Sequence, residues 1–202
     1  VKPFELVKLH PDVLSVPFQH RKELSAKFRD VLGLLELDYI SIEIVNPDEE
    51  FLFFASTPTV NFNIISNHLW PYDGAMSPTF YKKQHFFSWE AAYQPLFLTK
   101  LKKLKEAAHG FSYGFCLVRR VAGFTLIYSF ATKNKNKKIP DFFEERRLEV
   151  LKIGDFCYKW VRPIYALYAK NHTPPLVTQF ISEVGENRAM HAAHLKLVVN
   201  NT

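Results

Sequence analysis

From Tyr39 to Val45 the chain sets Ile40, Ile42 and Ile44 against Ser41 and Glu43. An extended strand gathers such strict alternation onto one apolar face, which a helix cannot do. Asn46-Pro47-Asp48 then supplies turn chemistry and Phe51 to Ser56 reads as a return strand, closing a hairpin. A second hairpin comes later, where Phe115 to Arg120 and Phe124 to Thr132 flank the tight turn Val121-Ala122-Gly123. Neither pair leaves room for a crossover helix, so the sheet is expected to be antiparallel.

Helical patterns surround these hairpins. Lys22 to Leu37 repeats Leu24, Phe28, Val31, Leu32 and Leu35 at helical spacing, and Val60 to Trp70 reads as a short helix. Phe80 to Trp89 carries an aromatic cluster expected on a short strand or its rim. Leu98, Leu101, Leu104 and Ala108 line one side of an amphipathic helix that Gly110 stops; Lys100, Lys102, Lys103 and Lys105 are expected on its solvent side. Asp141, with Glu144 three residues on, is read as the N-cap of a long helix. Its stripe runs Phe143, Val150, Cys157, Val161, Ile164 and Tyr168, and Pro163 should kink or end it. The order predicts an α+β domain of PAS/GAF-like architecture over residues 1–169, a five-stranded antiparallel sheet with helices on both faces. Residues 170–202 are expected to be a linker or helical appendage.

Nineteen Phe and 48% hydrophobic residues suffice for a large core and for apolar lining of a cavity, and they exclude disorder. The net charge of +6 is concentrated in Lys100 to Lys105 and Lys133 to Lys138, which read as a solvated helix side and a solvated loop. Cys116 and Cys157 lie in apolar runs, as buried reduced thiols of a cytoplasmic protein do. No run of 18 uncharged apolar residues occurs, so no membrane span is expected.

The common catalytic signatures are missing. None of the seven glycines stand two apart, which excludes G-x-G-x-x-G, and neither a P-loop, H-E-x-x-H, C-x-x-C nor G-x-S-x-G occurs. His191 and His194 lack further metal donors and read as surface residues of a C-terminal helix. Neither a cofactor, a metal nor an enzymatic role is expected.

Positive signals come together in one region. Phe87-Ser88-Trp89, then a helix ending Ala107 to Gly110, then a strand opening at Gly114, resemble the autoinducer-binding domains of LuxR-type regulators; the strand from Phe124 to Ala131 is similar to the last strand of that family. The resemblance implies a small-molecule-sensing, quorum-sensing domain whose cavity holds an acyl-homoserine lactone between sheet and helices. In the family a Trp indole, an Asp, a Tyr and a Ser or Thr on the last strand anchor the polar head. Carried over by position, Trp89 lines the pocket, Asp73 is the candidate amide anchor although Gly74 follows it where the family has Pro, and Ser129 takes the last-strand position with Ile127 beside it. Phe53 and Phe111 are candidate lining. The family's upstream Trp and Tyr find only Val60 to Ile65 in their place, so Trp70 and Tyr72 are the candidate substitutes.

That departure leaves the ligand open between an acyl-homoserine lactone and a divergent apolar signal. It also leaves an alternative, a ligand-independent interaction module whose cavity Phe53, Phe62 and Phe111 fill. The resemblance further implies a homodimer, with Phe156, Tyr158 and Trp160 on the outer side of the long helix. The family's DNA-binding helix-turn-helix has no counterpart here, since Gly185 interrupts the residues after Ala169; DNA binding is not expected of this chain as given and would need a domain beyond Thr202.

Overall fold

The computed structural model describes residues 3–177. The expected appendage, with Gly185, His191 and His194, lies almost wholly outside them. Along the chain run β1 (Lys8–Leu9), α1 (Val16–Gln19), α2 (Arg21–Arg29), β2 (Tyr39–Val45), β3 (Glu50–Ala55), α3 (Thr59–Ser66), α4 (Pro78–Tyr81), β4 (Phe86–Ser88), α5 (Trp89–Ala92), α6 (Leu98–Leu101), β5 (Tyr113–Val121), β6 (Phe124–Thr132), α7 (Ile139–Glu145) and α8 (Arg147–Ala166). Strand order is β1-β3-β2-β6-β5-β4, and helices cover both faces. The five expected strands pair antiparallel. The sheet has a sixth: β1 joins its edge parallel to β3, and at two residues it is too short to show any period in sequence.

Both hairpins close as their turns dictate. Asn46 Oδ1 accepts the backbone N–H of Asp48 and of Glu50, each at 2.9 Å. Ala122 and Gly123 both take positive φ (49° and 81°), the twist that a two-residue hairpin turn requires.

Helix boundaries differ from expectation in several places. The first long helix stops at Arg29, because Gly33 turns left-handed (φ 89°) into a short 3-10 turn over Leu34–Glu36. The helix begun by α6 passes into a π-helical segment, Lys102–Glu106, and then a 3-10 turn, Ala107–His109. Asp141 lies inside the first turn of α7 rather than capping it, and α7 and α8 are separate helices that meet at Arg146. Pro163 lies inside α8, three residues before its end at Ala166.

The central strand β2 is buried along its whole length, not half-buried as its alternation suggested, because helices lie against both sides of it. On one face the register aligns three rows: Tyr39–Ala131–Gly114, Ser41–Ser129–Cys116 and Glu43–Ile127–Val118. On the other face α8 comes so close that a Cβ on Gly154 would fall on the Tyr128 ring. Tyr128 donates its hydroxyl to Asp155 Oδ1 (2.9 Å), and Arg119 reaches Asp155 Oδ2 at 2.7 Å, so three side chains lock α8 to β5 and β6. The outer side of α8 is not a bare aromatic strip. Tyr158 is buried and donates to the Pro175 carbonyl at 2.9 Å, and the Lys27 ammonium lies 4.0 Å above the half-buried Trp160 ring. Among the described residues no helix is long and apolar enough to cross a membrane.

Candidate functional site

Polar side chains belong at protein surfaces unless something holds them inside. The sheet face bearing the three rows breaks that pattern: Ser41, Glu43, Asn61, Asp73, Lys105 and Ser129 are all buried there or against the helices that cover it.

Trp89 opens α5, positioned by Ser88, whose hydroxyl caps the helix by accepting the Ala91 N–H at 3.2 Å. Its indole lies flat enough on β5 that a Cβ on Gly114 would collide with it, so glycine is required there by close approach. The indole N–H donates to Ser129 Oγ at 2.9 Å, and the Cys116 thiol lies 3.5 Å from the same oxygen. Burial pushes the Cys116 thiol up to about 12, which removes thiolate chemistry near neutral pH.

Asp73 caps a 3-10 turn, Gly74–Met76, with Oδ1 accepting the Ala75 N–H at 3.0 Å. Its other oxygen holds Lys105 Nζ at 2.7 Å, and both side chains are sealed from water. Close approach requires glycine after Asp73, since a Cβ there would stand 2.7 Å from the Ala92 carbonyl oxygen. Burial alone would lower the Lys105 pKa, but the carboxylates of Asp73 and Glu43 outweigh it and the net shift is upward. The ammonium also lies 4.5 Å over the Trp89 ring. Nearby, Tyr93 donates its hydroxyl to Glu106 Oε1 at 2.9 Å.

A second polar group is seated on β2. Asn61 of α3 donates to Glu43 Oε1 at 3.1 Å and lies 3.4 Å from Ser41 Oγ, while the Tyr39 hydroxyl lies 3.4 Å from Asn61 Oδ1. Glu43 Oε2 is buried without a partner. Burial raises the Glu43 carboxyl from 4.5 to about 7, against the pull of Lys105 and the bond from Asn61.

The structure brings Trp89, Asp73, Ser129 and Ile127 together against this face, with Phe53 beside Glu43 in the register and Phe111 between Tyr39 and Trp89 (ring centroids 5.5 and 6.2 Å). Trp70 and Tyr72 are placed differently. Both are half-buried in the 3-10 turn before Asp73, and Tyr72 stacks on Phe97 at 3.7 Å. Phe62 packs edge-on against Phe18 and does not fill the interior face. Two surface hollows of about 220 Å³ lie elsewhere, near Lys170 and Asn171.

Sequence reasoning missed Lys105, Glu43 and Asn61. Lys105 follows the buried Leu101 by four residues, so helical spacing already put it on the inner side. Only its charge suggested solvent. Asn61 lies where the family resemblance called for a polar anchor.

No family profile matches the chain, and no curated protein matches it in sequence. Solved structures do match. SdiA from Escherichia coli aligns over 89% of this chain and 80% of its own, with TM-score 0.53 and 16% identity. SdiA in complex with octanoyl-rac-glycerol aligns over 89% and 75%, with TM-score 0.55 and 16% identity. CepR2 from Burkholderia cenocepacia, an N-acylhomoserine lactone dependent LuxR family transcription factor, aligns over 76% and 96%, with TM-score 0.52 and 11% identity. The chain therefore has the fold of LuxR-type autoinducer-binding domains.

Proposed function

We propose that residues 1–169 form a small-molecule-sensing domain, binding an amphipathic acyl signal between the sheet and the layer of α3, α5 and the helix after α6. One observation carries this reading: the concentration of buried charged and hydrogen-bonding groups on that face. A core serving stability alone gains little from such groups, since a buried ion pair often does no better than apolar packing. Polar anchors at the wall of an apolar interior are what an amphipathic ligand needs. The fold adds support, as SdiA has been captured with octanoyl-rac-glycerol and CepR2 is N-acylhomoserine lactone dependent. The role is binding rather than catalysis, and two free buried cysteines suit a reducing, cytoplasmic setting. The proposal includes a homodimer through α8, where Leu148 is 69% exposed, with sedimentation velocity as its check.

A second reading has its own observation. Asp73 is already taken by Lys105, and Trp89 and Phe53 are fully buried, as in an interaction module that keeps the fold and binds no signal. One experiment separates the two. Thermal unfolding is followed with octanoyl-homoserine lactone, octanoyl glycerol and methyl octanoate. Sensing predicts saturable stabilisation, about 2.7 kcal/mol at a hundredfold excess over Kd. Uniform silence favours the interaction module.

A further inference from the structure

Glu43 sits mid-strand in β2 at 1% exposure, one carboxyl oxygen bonded to Asn61 and the other unpaired. Buried polar atoms are nearly always satisfied, so an orphan oxygen at a candidate binding face calls for a reason. The neighbouring donors make their hydrogen bonds to other atoms. Lys105 is held by Asp73, the Trp89 indole by Ser129, and the Asn61 amide is already shared between Glu43 and Ser41. The chain leaves this acceptor for something it does not itself supply.

We propose that Glu43 Oε2 receives a hydroxyl of the ligand's polar head, which makes the site selective for neutral, hydroxyl-bearing acyl compounds such as monoacylglycerols. This rests on the sensing reading above and specifies its ligand. Charge favours a neutral head: Asp73 and Lys105 already neutralise each other, an anionic head would meet Glu43, and a cationic head would find there a carboxyl that burial keeps partly protonated. An acyl-homoserine lactone has no O–H, and its single amide N–H donates but cannot accept. A hydroxyl both donates and accepts, so it pairs with Glu43 whether the carboxyl is ionised or protonated. Burial places that carboxyl at about 7, where both forms are populated.

Calorimetric titration of the full chain with octanoyl glycerol and with methyl octanoate, which shares the tail and lacks hydroxyls, tests this. Wild type should prefer the glycerol ester by about tenfold or more, the range of one hydrogen bond to a charged group. Glu43→Met, which keeps side-chain volume and removes the acceptor, should bring the two esters to equal affinity. Isotope-edited infrared spectroscopy of wild type gives a readout that no variant's folding affects: the Glu43 carboxyl stretch, assigned by its loss in Glu43→Gln, should shift with octanoyl glycerol and not with methyl octanoate. Equal affinities in wild type, an undiminished preference in Glu43→Met, or an unmoved carboxyl band overturns the inference while leaving the sensing reading intact. Silence of both esters and of octanoyl-homoserine lactone overturns the two together.

Discussion

Lys105 Nζ stands 2.7 Å from Asp73 Oδ2 with neither side chain open to water, and the pair fastens the π-helical segment to the turn that precedes α4. An uncompensated charge left in such a place is costly. Lys105→Met and Asp73→Asn should each destabilise the fold by about 3–5 kcal/mol, read from urea midpoints. The double variant should lose clearly less than their sum, with a coupling energy of about 1–3 kcal/mol. Additive losses would show that the pair does not act as a unit.

The Glu43 carboxyl makes stability depend on pH in a definite direction. Its folded value of about 7 exceeds its ordinary 4.5, so between these values the native state binds the extra proton. Its contribution is complete below pH 4.5 and is lost as pH rises through 7, about 3 kcal/mol in all. Lys105, Asp73, Tyr39 and Cys116 are the titratable groups coupled to it. Burial raises Glu106 and Asp155 in the same direction, whereas it lowers His109, which opposes them. Glu43→Gln isolates the contribution: stability of the variant should fall less between pH 5 and pH 8, a range taken as roughly spanning the transition. An unchanged slope would contradict it.

Ser129→Ala removes the acceptor of the Trp89 indole. The buried N–H is then unpaired, at a cost of about 1–3 kcal/mol in chemical denaturation. Gly114→Ala acts on the same ring from the other side, since the new methyl would meet the indole carbons. Overpacking of this kind costs about 1–3 kcal/mol. Both variants should change tryptophan emission; a Gly114→Ala protein with wild-type stability and emission would place the indole elsewhere.

Gly154→Ala carries the equivalent test on the opposite face, where the methyl would fall on the Tyr128 ring and lift α8 from the sheet. Its destabilisation should match that of Gly114→Ala in scale, about 1–3 kcal/mol. Tyr128→Phe should be milder, about 0.5–1.5 kcal/mol, because Asp155 keeps Arg119 as a partner.

Periodicity carried most of the fold. The isoleucines of β2 and the stripe from Val150 to Ile164 fixed the sheet and α8, because a repeat of two or 3.6 residues has one structural solution. Where a repeat was too short, as in β1, nothing in the sequence could show it. Glu43 and Lys105 were hidden for another reason. Charge on an amphipathic element reads as solvent-facing, and only the layer packed above shows otherwise. Trp89, Asp73 and Ser129 came from resemblance to a family, whereas the ion pair and the Glu43 cluster are tertiary facts. The π-helical turn is another: it swings Glu106 inward, where ideal α spacing from Leu101 would have left it outside.

The central claim, that a small molecule binds against the Trp89 face, has one direct test. The chain has three tryptophans, so the indole N–H signals of nitrogen-15-labelled protein can be assigned by substitution and followed during titration with octanoyl glycerol. The Trp89 signal should move saturably while that of Trp160, on α8 across the sheet, stays in place. A Trp89 signal unmoved at saturating ester would contradict the account.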